Sequence, residues 1–477
     1  MKWKHMDLCR KLLMLHKRRG TPKPKGLQII IVGCGKIGSA LLEHLTKEGH
    51  NITVIDKNSD RVQNFANMYD VMGIVGNGAS YSVQVEAGIK NTDLFIAVTK
   101  SDELNLLCCT IAKQASNCAT FARVCTPDYS KELGYLQDKL GLTMIINPEH
   151  EFAREVARIL AMPTALEVNS FAHGRAELIK IKLPEGNCLD GMSIATMGSM
   201  VEAKVIICAI ERDGQVHIPS GNFVMHAGDV ISFVSSRNDI KTFLKTIGFK
   251  SKRVKDTMII GGGKAAYYLA KRLLNMNISV KIIESDRARC EELSVLLPKA
   301  IIINGDGTDQ ELLREEGIDK VESFVPLTGI DEENIVLTLH ARQLSDTKIV
   351  TKINRTSFKE VISSLDLGSV VYPRYITTEA IIAYVRAKTN SQDSNIETLY
   401  HMYDNWVEAI EFVVQKDSVV TNIPLRDLKL KKNLLVACIN RNGNIIIPSG
   451  DDEIRVNDSV IIVTTNTGFN DIQDILA

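Results

Sequence analysis

The sequence lacks an excess of charge of either sign, because its 477 residues contain 57 lysines and arginines and 57 aspartates and glutamates. That balance gives no reason to expect nucleic acid as a partner. The sequence also lacks an apolar stretch approaching the roughly 18 residues that a membrane-spanning helix needs. The body of the chain is therefore expected to be soluble.

Patterns that bind metals or carry catalysis are absent as well. The ten cysteines contain no C-x-x-C pair and no zinc-ligand spacing, and they are predicted to be small apolar residues of a reduced, cytoplasmic protein. There is no H-E-x-x-H motif and no serine nucleophile elbow. The histidines, His217 among them, stand alone and are interpreted as structural. No catalytic residue and no metal site are therefore assigned.

The sequence does contain a long internal repeat. Gly33 corresponds to Gly261 and Asp56 to Glu284 at an offset of 228 residues, and the segment at 102–105, DELN, matches DEEN at an offset of 229. A register held over two hundred residues indicates a tandem duplication of a unit of about 230 residues.

Each unit is predicted to divide into two parts. The first part alternates apolar strands with helical patterns, which is typical of right-handed βαβ crossovers and a doubly wound parallel sheet of the Rossmann type. The second part has short strands separated by turn signals and is predicted to be a small α+β lobe. The predicted boundaries are 27–162 and 163–250 in the first unit, and 255–388 and 389–477 in the second.

Two further segments are assigned by composition. Residues 1–26 carry nine lysines and arginines against one acid, and we interpret them as a basic arm that is either disordered or able to touch anionic lipid. The polar stretch 388–400, KTNSQDSNIETLY, is predicted to be a linker into the last lobe.

The glycine-rich turn of the first unit has the spacing of a dinucleotide fingerprint. Gly33 follows an apolar run and Gly35 and Gly38 complete G-x-G-x-x-G before a helical pattern. In that motif the three glycines allow a tight turn, approach of the backbone to a pyrophosphate and close packing of helix on strand. Asp56 lies about 20 residues on, where an acid accepts hydrogen bonds from ribose hydroxyls. It favours NAD(H) or an adenine nucleotide over NADP(H), but it does not separate NAD from ATP or ADP.

The second copy departs from this pattern. Gly261 and Gly263 fill the first two glycine positions, whereas Ala266 replaces the third, and Glu284 takes the place of the acid. Alanine is an allowed variant at the third position. The second copy is predicted to bind nucleotide too, with a Rossmann domain kept only for its assembly surfaces as the alternative.

Further recurrent positions follow the other parallel strands, where ligands of open α/β sheets bind. Asn77 and its counterpart Asp306 follow the third strand of each copy, Thr99 and Lys100 follow the fourth, and Arg123 ends the fifth. Thr99 is either a ligand contact or a helix cap. Arg123 is a candidate for meeting phosphate charge.

Segments such as IIIVGCGKIGSALLEHL and IIIPSGDDEIRVNDSVIIVT, together with the double repeat, give the chain a family resemblance. It resembles the peripheral regulatory subunits of Trk-type potassium uptake systems, which are built of tandem RCK (KTN) domains. The resemblance covers residues 25–477.

The resemblance implies a cytoplasmic, homo-oligomeric protein, tetrameric by expectation, attached peripherally to the inner face of the cell membrane. Its partner would be a membrane potassium-translocating subunit of the TrkH/TrkG type, and NAD(H) and ATP/ADP would regulate transport. The predicted nucleotide contacts are Gly33, Cys34, Gly35, Lys36, Ile37, Gly38, Asp56, Asn77, Thr99, Lys100 and Arg123 in the first copy, and Gly261, Gly262, Gly263, Lys264, Ala265, Glu284 and Asp306 in the second.

Two other functions remain open at this point. An NAD-dependent oxidoreductase would need a second region with an acid or base beside the nicotinamide, and the small lobes offer no candidate. A metabolite sensor or scaffold without a transporter is the other possibility. The sequence favours the regulatory subunit.

Overall fold

A computed structural model describes residues 26–130, 132–249, 253–355, 361–362, 365–389, 394–403 and 406–477. Of the predicted basic arm, residues 1–25 lie outside this part of the chain. Among the described residues no helix has both the length and the apolar character needed to cross a bilayer.

The first unit begins with a six-stranded parallel sheet, whose strand order is β3-β2-β1-β4-β5-β6. This is the order of a dinucleotide-binding Rossmann sheet, and its reversal between β1 and β4 opens a crevice at the carboxyl ends of the strands. The strands are β1 (Gln28–Val32), β2 (Asn51–Asp56), β3 (Met72–Val75), β4 (Leu94–Ala97), β5 (Ala119–Arg123) and β6 (Met144–Ile146).

Helices with one apolar face cover this sheet, since their buried residues recur three and four positions apart, as Leu41, Leu42 and Leu45 do. The helices of the first unit are α1 (Lys36–Lys47), α2 (Ser59–Tyr69), α3 (Tyr81–Glu86), α4 (Asp102–Ala115), α5 (Pro127–Ser130), α6 (Leu133–Leu140), α7 (Pro148–Ala161), α8 (Ile194–Met200) and α9 (Arg237–Thr246), with 3₁₀ turns at Ile89–Asn91 and Ala172–Gly174.

An antiparallel five-stranded sheet follows in the order β10-β9-β11-β8-β7. Its short strands are separated by the turn signals seen in the sequence. The strands are β7 (Glu167–Phe171), β8 (Ala176–Lys182), β9 (Val205–Arg212), β10 (Gln215–His217) and β11 (Val230–Ser236).

The second unit repeats both sheets with the same topology, β14-β13-β12-β15-β16-β17 and then β18-β19-β22-β20-β21. The predicted fold class, two parallel Rossmann-like domains each followed by a small α+β lobe, is thus confirmed. The strands are β12 (Asp256–Ile260), β13 (Ser279–Glu284), β14 (Ile301–Asn304), β15 (Ser323–Pro326), β16 (Lys348–Lys352), β17 (Ser369–Val371), β18 (Ser394–Met402), β19 (Val407–Val414), β20 (Leu434–Arg441), β21 (Asn444–Ile446) and β22 (Ser459–Thr464). The helices are α10 (Lys264–Asn275), α11 (Arg287–Leu296), α12 (Gln310–Glu315), α13 (Asp331–Leu344) and α14 (Pro373–Thr389), with 3₁₀ turns at Leu425–Asp427 and Ile472–Ile475.

The prediction of a linker over residues 388–400 is wrong for most of its length. Helix α14 runs to Thr389, strand β18 begins at Ser394, and residues 390–393 lie outside the described part. Strand β18 has a β-bulge between Ile396 and Thr398. Because a bulge breaks the alternation of apolar and polar residues, the stretch looked like a polar linker in sequence.

The two units exchange one helix each. Helix α7, which follows β6 of the first unit, packs on α10 and buries Phe152 and Leu160 completely in the core of the second parallel domain. Helix α14 packs in return on α1, where Ile382 and Val385 are completely buried with Leu41. Full burial of such a side chain contributes about 1.5–3 kcal/mol. The two parallel domains therefore complete each other's cores.

The two antiparallel sheets also pack against each other. Phe171 and Leu178 of the first lobe share a buried cluster with Val407 and Val463 of the second. At the edge of this interface Tyr403 Oη lies 2.6 Å from Ser232 Oγ, within hydrogen-bond distance. The two units of the duplication therefore pack against each other as a pseudo-symmetric pair within one chain.

Candidate functional site

The tight turn after β1 depends on Gly33. Its φ is +109°, in a region that L side chains rarely adopt, and a Cβ there would lie 3.0 Å from the backbone nitrogen of Thr99. Its N–H donates to the carbonyl of Ile55, 2.9 Å away. The turn therefore lies against the ends of β2 and β4, at the crevice of the parallel sheet.

The start of α1 faces open space. Gly35 is the N-cap. Within the described part of the chain no side chain caps the helix, and a Cβ on Gly35 would have no atom within 4 Å. A Cβ on Gly38, in contrast, would lie 2.3 Å from the carbonyl oxygen of Gly33, so helix and turn meet at van der Waals distance. Lys36 and Ile37 form the first helical positions. Backbone N–H groups at such a helix start can hold phosphate.

Asp56, at the end of β2, holds this turn with its carboxylate. Oδ2 accepts from Cys34 N–H at 2.7 Å and Oδ1 accepts from Asn58 N–H at 3.0 Å. A carboxylate oxygen has a further lone pair, so ribose hydroxyls can be bound in addition. Burial and the charge of Asp56 raise the pKa of the Cys34 thiol to about 12, so Cys34 stays protonated and acts as a spacer.

Asn105 of α4 joins the ends of β4 and β5, which the sequence analysis missed. Its Oδ1 accepts from the N–H and the hydroxyl of Thr99 at 2.9 and 2.7 Å. Its Nδ2 donates to the carbonyl of Arg123 at 2.9 Å. The guanidinium of Arg123 bonds the carbonyl of Thr99 at 3.1 Å and Glu149 at 2.9 Å.

The same arrangement recurs in the second copy. Asn334 of α13 accepts from the N–H and the hydroxyl of Thr328, both at 2.9 Å, and donates to the carbonyl of Lys352 at 3.1 Å. The signal that could have found Asn105 and Asn334 is the D-E-x-N spacing shared by the two copies, which the sequence analysis used only to establish the repeat.

We expect Asn105→Ala to lower the free energy of unfolding by about 1–3 kcal/mol, because it leaves buried donors and acceptors without a partner. Asn334→Ala should have a similar effect. Urea unfolding measures both, with the exposed helical residue Asn64 changed to alanine as the control. An equal loss of stability in Asn64→Ala would contradict the assignment.

The remaining first-copy candidates are more exposed. Asn77 is exposed and its side chain accepts from Ala79 N–H in its own turn at 3.3 Å. Lys100 is exposed beside Thr99. Gly78, the residue after Asn77, packs tightly, because a Cβ there would lie 2.4 Å from Val32. The structure thus brings Gly33–Gly38, Asp56, Thr99 and Lys100 to one edge of the sheet, with Asn77 at its margin.

The second glycine turn has the same architecture with small differences. Gly261 has a φ of +96°, and Gly262 N–H donates to Glu284 Oε2 at 2.6 Å. Among the residues that the structure describes, a Cβ on Gly263 would again have no atom within 4 Å, so the start of α10 is open to them. Ala266 is completely buried and fills the place of the third glycine, with Ala265 beside it half-buried.

Two second-copy side chains, the counterparts of Arg61 and Asn77 in the first copy, lie at the rim of the site. Arg289 Nε donates to the carbonyl of Gly262 at 2.7 Å, which places a guanidinium beside the turn. Asp306 accepts from the N–H and the hydroxyl of Thr308 at 2.9 and 2.8 Å, and these bonds lower the pKa of its carboxyl. At these two positions the sites therefore differ in charge only by the carboxylate of Asp306, where the first copy has Asn77.

Each glycine turn also approaches the other unit. Lys264, the first residue of α10, donates from Nζ to Thr126 Oγ1 at 3.0 Å, just past the end of β5 of the first domain. In return, Lys36 of the first turn is close enough to Lys352 to assist burial in lowering the pKa of that amine. The two candidate sites are thus connected through the interface between the units.

The chain matches the models of two known domain families. The model of the TrkA-N domain matches residues 29–148 and 257–373, and that of the TrkA-C domain matches residues 178–248 and 409–477. The Trk system potassium uptake protein TrkA of Haemophilus influenzae is 32% identical over 443 residues, which cover 91% of this chain and 95% of that protein. The chain belongs to the TrkA family. The expected family resemblance is thereby confirmed.

A further relative agrees with this assignment, and solved structures share the fold. A TrkA homolog of Archaeoglobus fulgidus is 32% identical over 449 residues, covering 94% of this chain and all of that protein. The GsuK channel is similar in fold, with a TM-score of 0.63 at 17% identity over 95% of this chain and 80% of that one. A GsuK channel bound to NAD gives a TM-score of 0.61 at 16% identity, over 96% and 80%. At this identity the likeness shows the fold.

Proposed function

We propose that this TrkA family member is a nucleotide-binding, cytoplasmic regulatory subunit that gates a membrane potassium-translocating subunit of the TrkH/TrkG type. The observation that carries the proposal is the pair of open helix starts at Gly35 and Gly263, each beside an acid bonded to the turn. Its ligands would be NAD(H) and ATP or ADP. Similar folds bound to NAD and to ADP support this choice.

In the first copy, the N–H groups at Lys36 and Ile37 would hold phosphate and Asp56 the ribose, with Lys100 able to meet further phosphate charge. In the second copy, the corresponding groups are Lys264, Ala265 and Glu284. A bound nucleotide supplies the charge and the ribose that these groups recognise. No catalytic residue is proposed.

Regulation requires that a ligand bind two shapes with different affinity. The contact between Lys264 and Thr126 offers a route, because phosphate at the start of α10 would compete with Thr126 for the ammonium group. Thr126 in turn donates from Oγ1 to Asp102 Oδ2 at 2.6 Å, at the start of α4. Binding in one unit would thus alter contacts in the other.

Titration calorimetry with NADH, NAD, ATP and ADP tests the binding sites. We expect Asp56→Ala and Glu284→Ala each to weaken binding at its own copy by about tenfold to hundredfold, since hydrogen bonds to a charged group contribute about 1.5–3 kcal/mol. Asp60→Ala, an exposed acid of α2, is the control. Unchanged affinity in both site variants would contradict the proposal.

A fold-preserving variant separates loss of binding from loss of structure. Gly35→Asp has room for its side chain, and aspartate is a favourable N-cap, so α1 should become more stable while a carboxylate occupies the phosphate position. We expect nucleotide binding at the first copy to disappear without a fall in melting temperature. Nicotinamide oxidation on addition of a metabolite extract would instead indicate the oxidoreductase.

Uptake of potassium by vesicles that contain the translocating subunit tests the regulatory part. Uptake should depend on the added chain and respond to nucleotide, and Gly35→Asp should weaken that response. The chain should sediment with these vesicles and not with vesicles lacking the subunit. The proposed homo-tetramer is tested on the purified chain by light scattering.

A further inference from the structure

A cavity of about 1230 Å³ lies where the parallel domains and the small lobes of both units meet. We name it the central cavity. Its wall is formed by α7, α9, α10 and α14 together with strands β6, β7, β8 and β18, so each unit contributes to it. Neither glycine turn lines it.

The wall of the central cavity carries more cationic than anionic side chains. The cationic ones are Arg154, Arg158, Arg237, Lys241, Arg253 and Arg272, and the carboxylates are Glu151, Glu177, Glu379 and Glu397.

Each of those carboxylates already has a partner. Glu151 pairs with Arg154, and Glu177 pairs with Arg237 at 2.8 Å. Glu379 accepts from His401 N–H at 2.9 Å. Glu397 lies 3.1 Å from His173 Nε2. Each acid therefore has a close partner, and Glu151 in addition offsets part of the charge of Arg158 and Arg272.

Four cationic side chains of the cavity wall do not belong to the pairs described above. Within the described part of the chain, Arg158, Lys241, Arg253 and Arg272 form no ion pair at 4.0 Å or less. Arg158 and Arg272 are half-buried. Burial and the charges of Arg154 and Arg158 lower the pKa of Arg272, so these guanidinium groups are close enough to repel one another. Half-buried like charges of this kind are costly unless an anion lies between them.

The placement of these groups suits a ligand held between the two units. Arg154 and Arg158 are one turn apart on α7 of the first unit, whereas Arg272 belongs to α10 of the second. Arg272 comes eight residues after Lys264 in the chain, which is about 12 Å along a helix at 1.5 Å per residue. A ligand there would be separate from the phosphate position at the start of α10.

We propose that the central cavity binds a small anion with two or more phosphate groups, held by Arg158 and Arg272. Guanidinium groups bind phosphate through paired N–H donors, and two of them from different units would bridge α7 and α10. The anion would stabilise the packing of the exchanged helices. This site is independent of nucleotide binding at the glycine turns.

Titration of the full-length chain with inorganic pyrophosphate at low ionic strength tests the site. Pyrophosphate should bind the wild type and raise its melting temperature. The double variant Arg158→Gln, Arg272→Gln should bind at least tenfold more weakly. Its melting temperature without ligand should be equal to that of the wild type or higher, since the mutual repulsion is removed.

Two controls separate this site from other sources of binding. Arg314→Gln removes an exposed arginine of α12, outside the cavity wall, and should leave the affinity unchanged. The double variant Gly35→Asp, Gly263→Asp closes both helix starts, where side chains have room, and should still bind pyrophosphate at the central cavity. The proposal is overturned if the wild type does not bind, if the arginine variant binds equally well, or if only the glycine variant loses binding.

Discussion

Replacing Arg386 with methionine should lower the free energy of unfolding by about 3–5 kcal/mol, because removal of one partner leaves buried charges without compensation. The guanidinium of Arg386 is 4% exposed. Nε bonds Glu48 at 2.8 Å, and two nitrogens bond Glu408 at 3.1 and 3.0 Å. The ion group therefore joins three parts of the molecule, the end of α1, helix α14 and strand β19.

The electrostatics of this group favour the paired form. Burial alone would raise the pKa of Glu408, but His401 and Arg386 lower it to about 2. Without Arg386, two carboxylates would remain in largely apolar surroundings with only histidines as partners. Helix α14 should then be held less firmly against the first unit.

Denaturant unfolding of three variants measures how much this ion group contributes to stability. Arg355→Met removes a cation that pairs with Glu332 at 3.0 Å on the surface, with side chains 55% and 62% exposed, and should cost less than about 1 kcal/mol. A triple variant, Glu48→Gln, Arg386→Met, Glu408→Gln, should regain much of the lost stability because no orphaned charge remains. If Arg386→Met lowers the free energy of unfolding by no more than Arg355→Met does, the predicted contribution of the buried ion group is contradicted.

Glu155→Gln should stabilise the protein, and by about 2–3 kcal/mol more at pH 9 than at pH 6. Burial, and then the negative charges of Glu167 and Glu379, raise the pKa of Glu155 to about 8, against the smaller opposing effect of Arg158 and Arg154. Each unit of pKa corresponds to about 1.4 kcal/mol. Glutamine keeps the shape and cannot ionise.

The sign follows from proton linkage. The folded pKa of Glu155 is higher than its unfolded value near 4.5, so the folded state binds more protons, and the resulting stability is present below pH 4.5 and lost as the pH rises through about 8. His401 acts in the same direction. Burial lowers its pKa, but bonds to Glu379 and Glu408 outweigh this and raise it to about 9. Its contribution is present below about pH 6.5 and is common to wild type and variant.

Melting temperatures of wild type and Glu155→Gln across pH 6–9 give the measurement. The exposed acid Glu315 of α12, changed to glutamine, is the matched control and should show no pH-dependent difference of this kind. A constant difference between wild type and Glu155→Gln over this range would contradict the raised pKa.

Much of the fold could be predicted because its signals are local. The glycine spacing after Val32 and Ile260, and the apolar runs of the long parallel strands, each depend on residues within about 20 positions. Strands β6 and β17 have only three residues each, too few to show a period. Strand β18 was obscured by its bulge at Ile396.

The candidate site could be predicted only in part. Asp56 and Glu284 were found because their distance from the glycine turn is characteristic, whereas Asn105 looked like any polar residue of a helix. Its role depends on the ends of two neighbouring strands, which are adjacent only after the sheet has formed. Arg289 beside the second turn was missed for the same reason.

The sequence by itself determined the duplication, the fold class and the two glycine turns, because repeats and local periods are written along the chain. Only the tertiary structure decided that α7 and α14 are exchanged between the units, that Lys264 reaches Thr126, and that arginines of both units line one cavity. These contacts join residues more than one hundred positions apart. They depend on how complementary apolar faces pack, which no local pattern encodes.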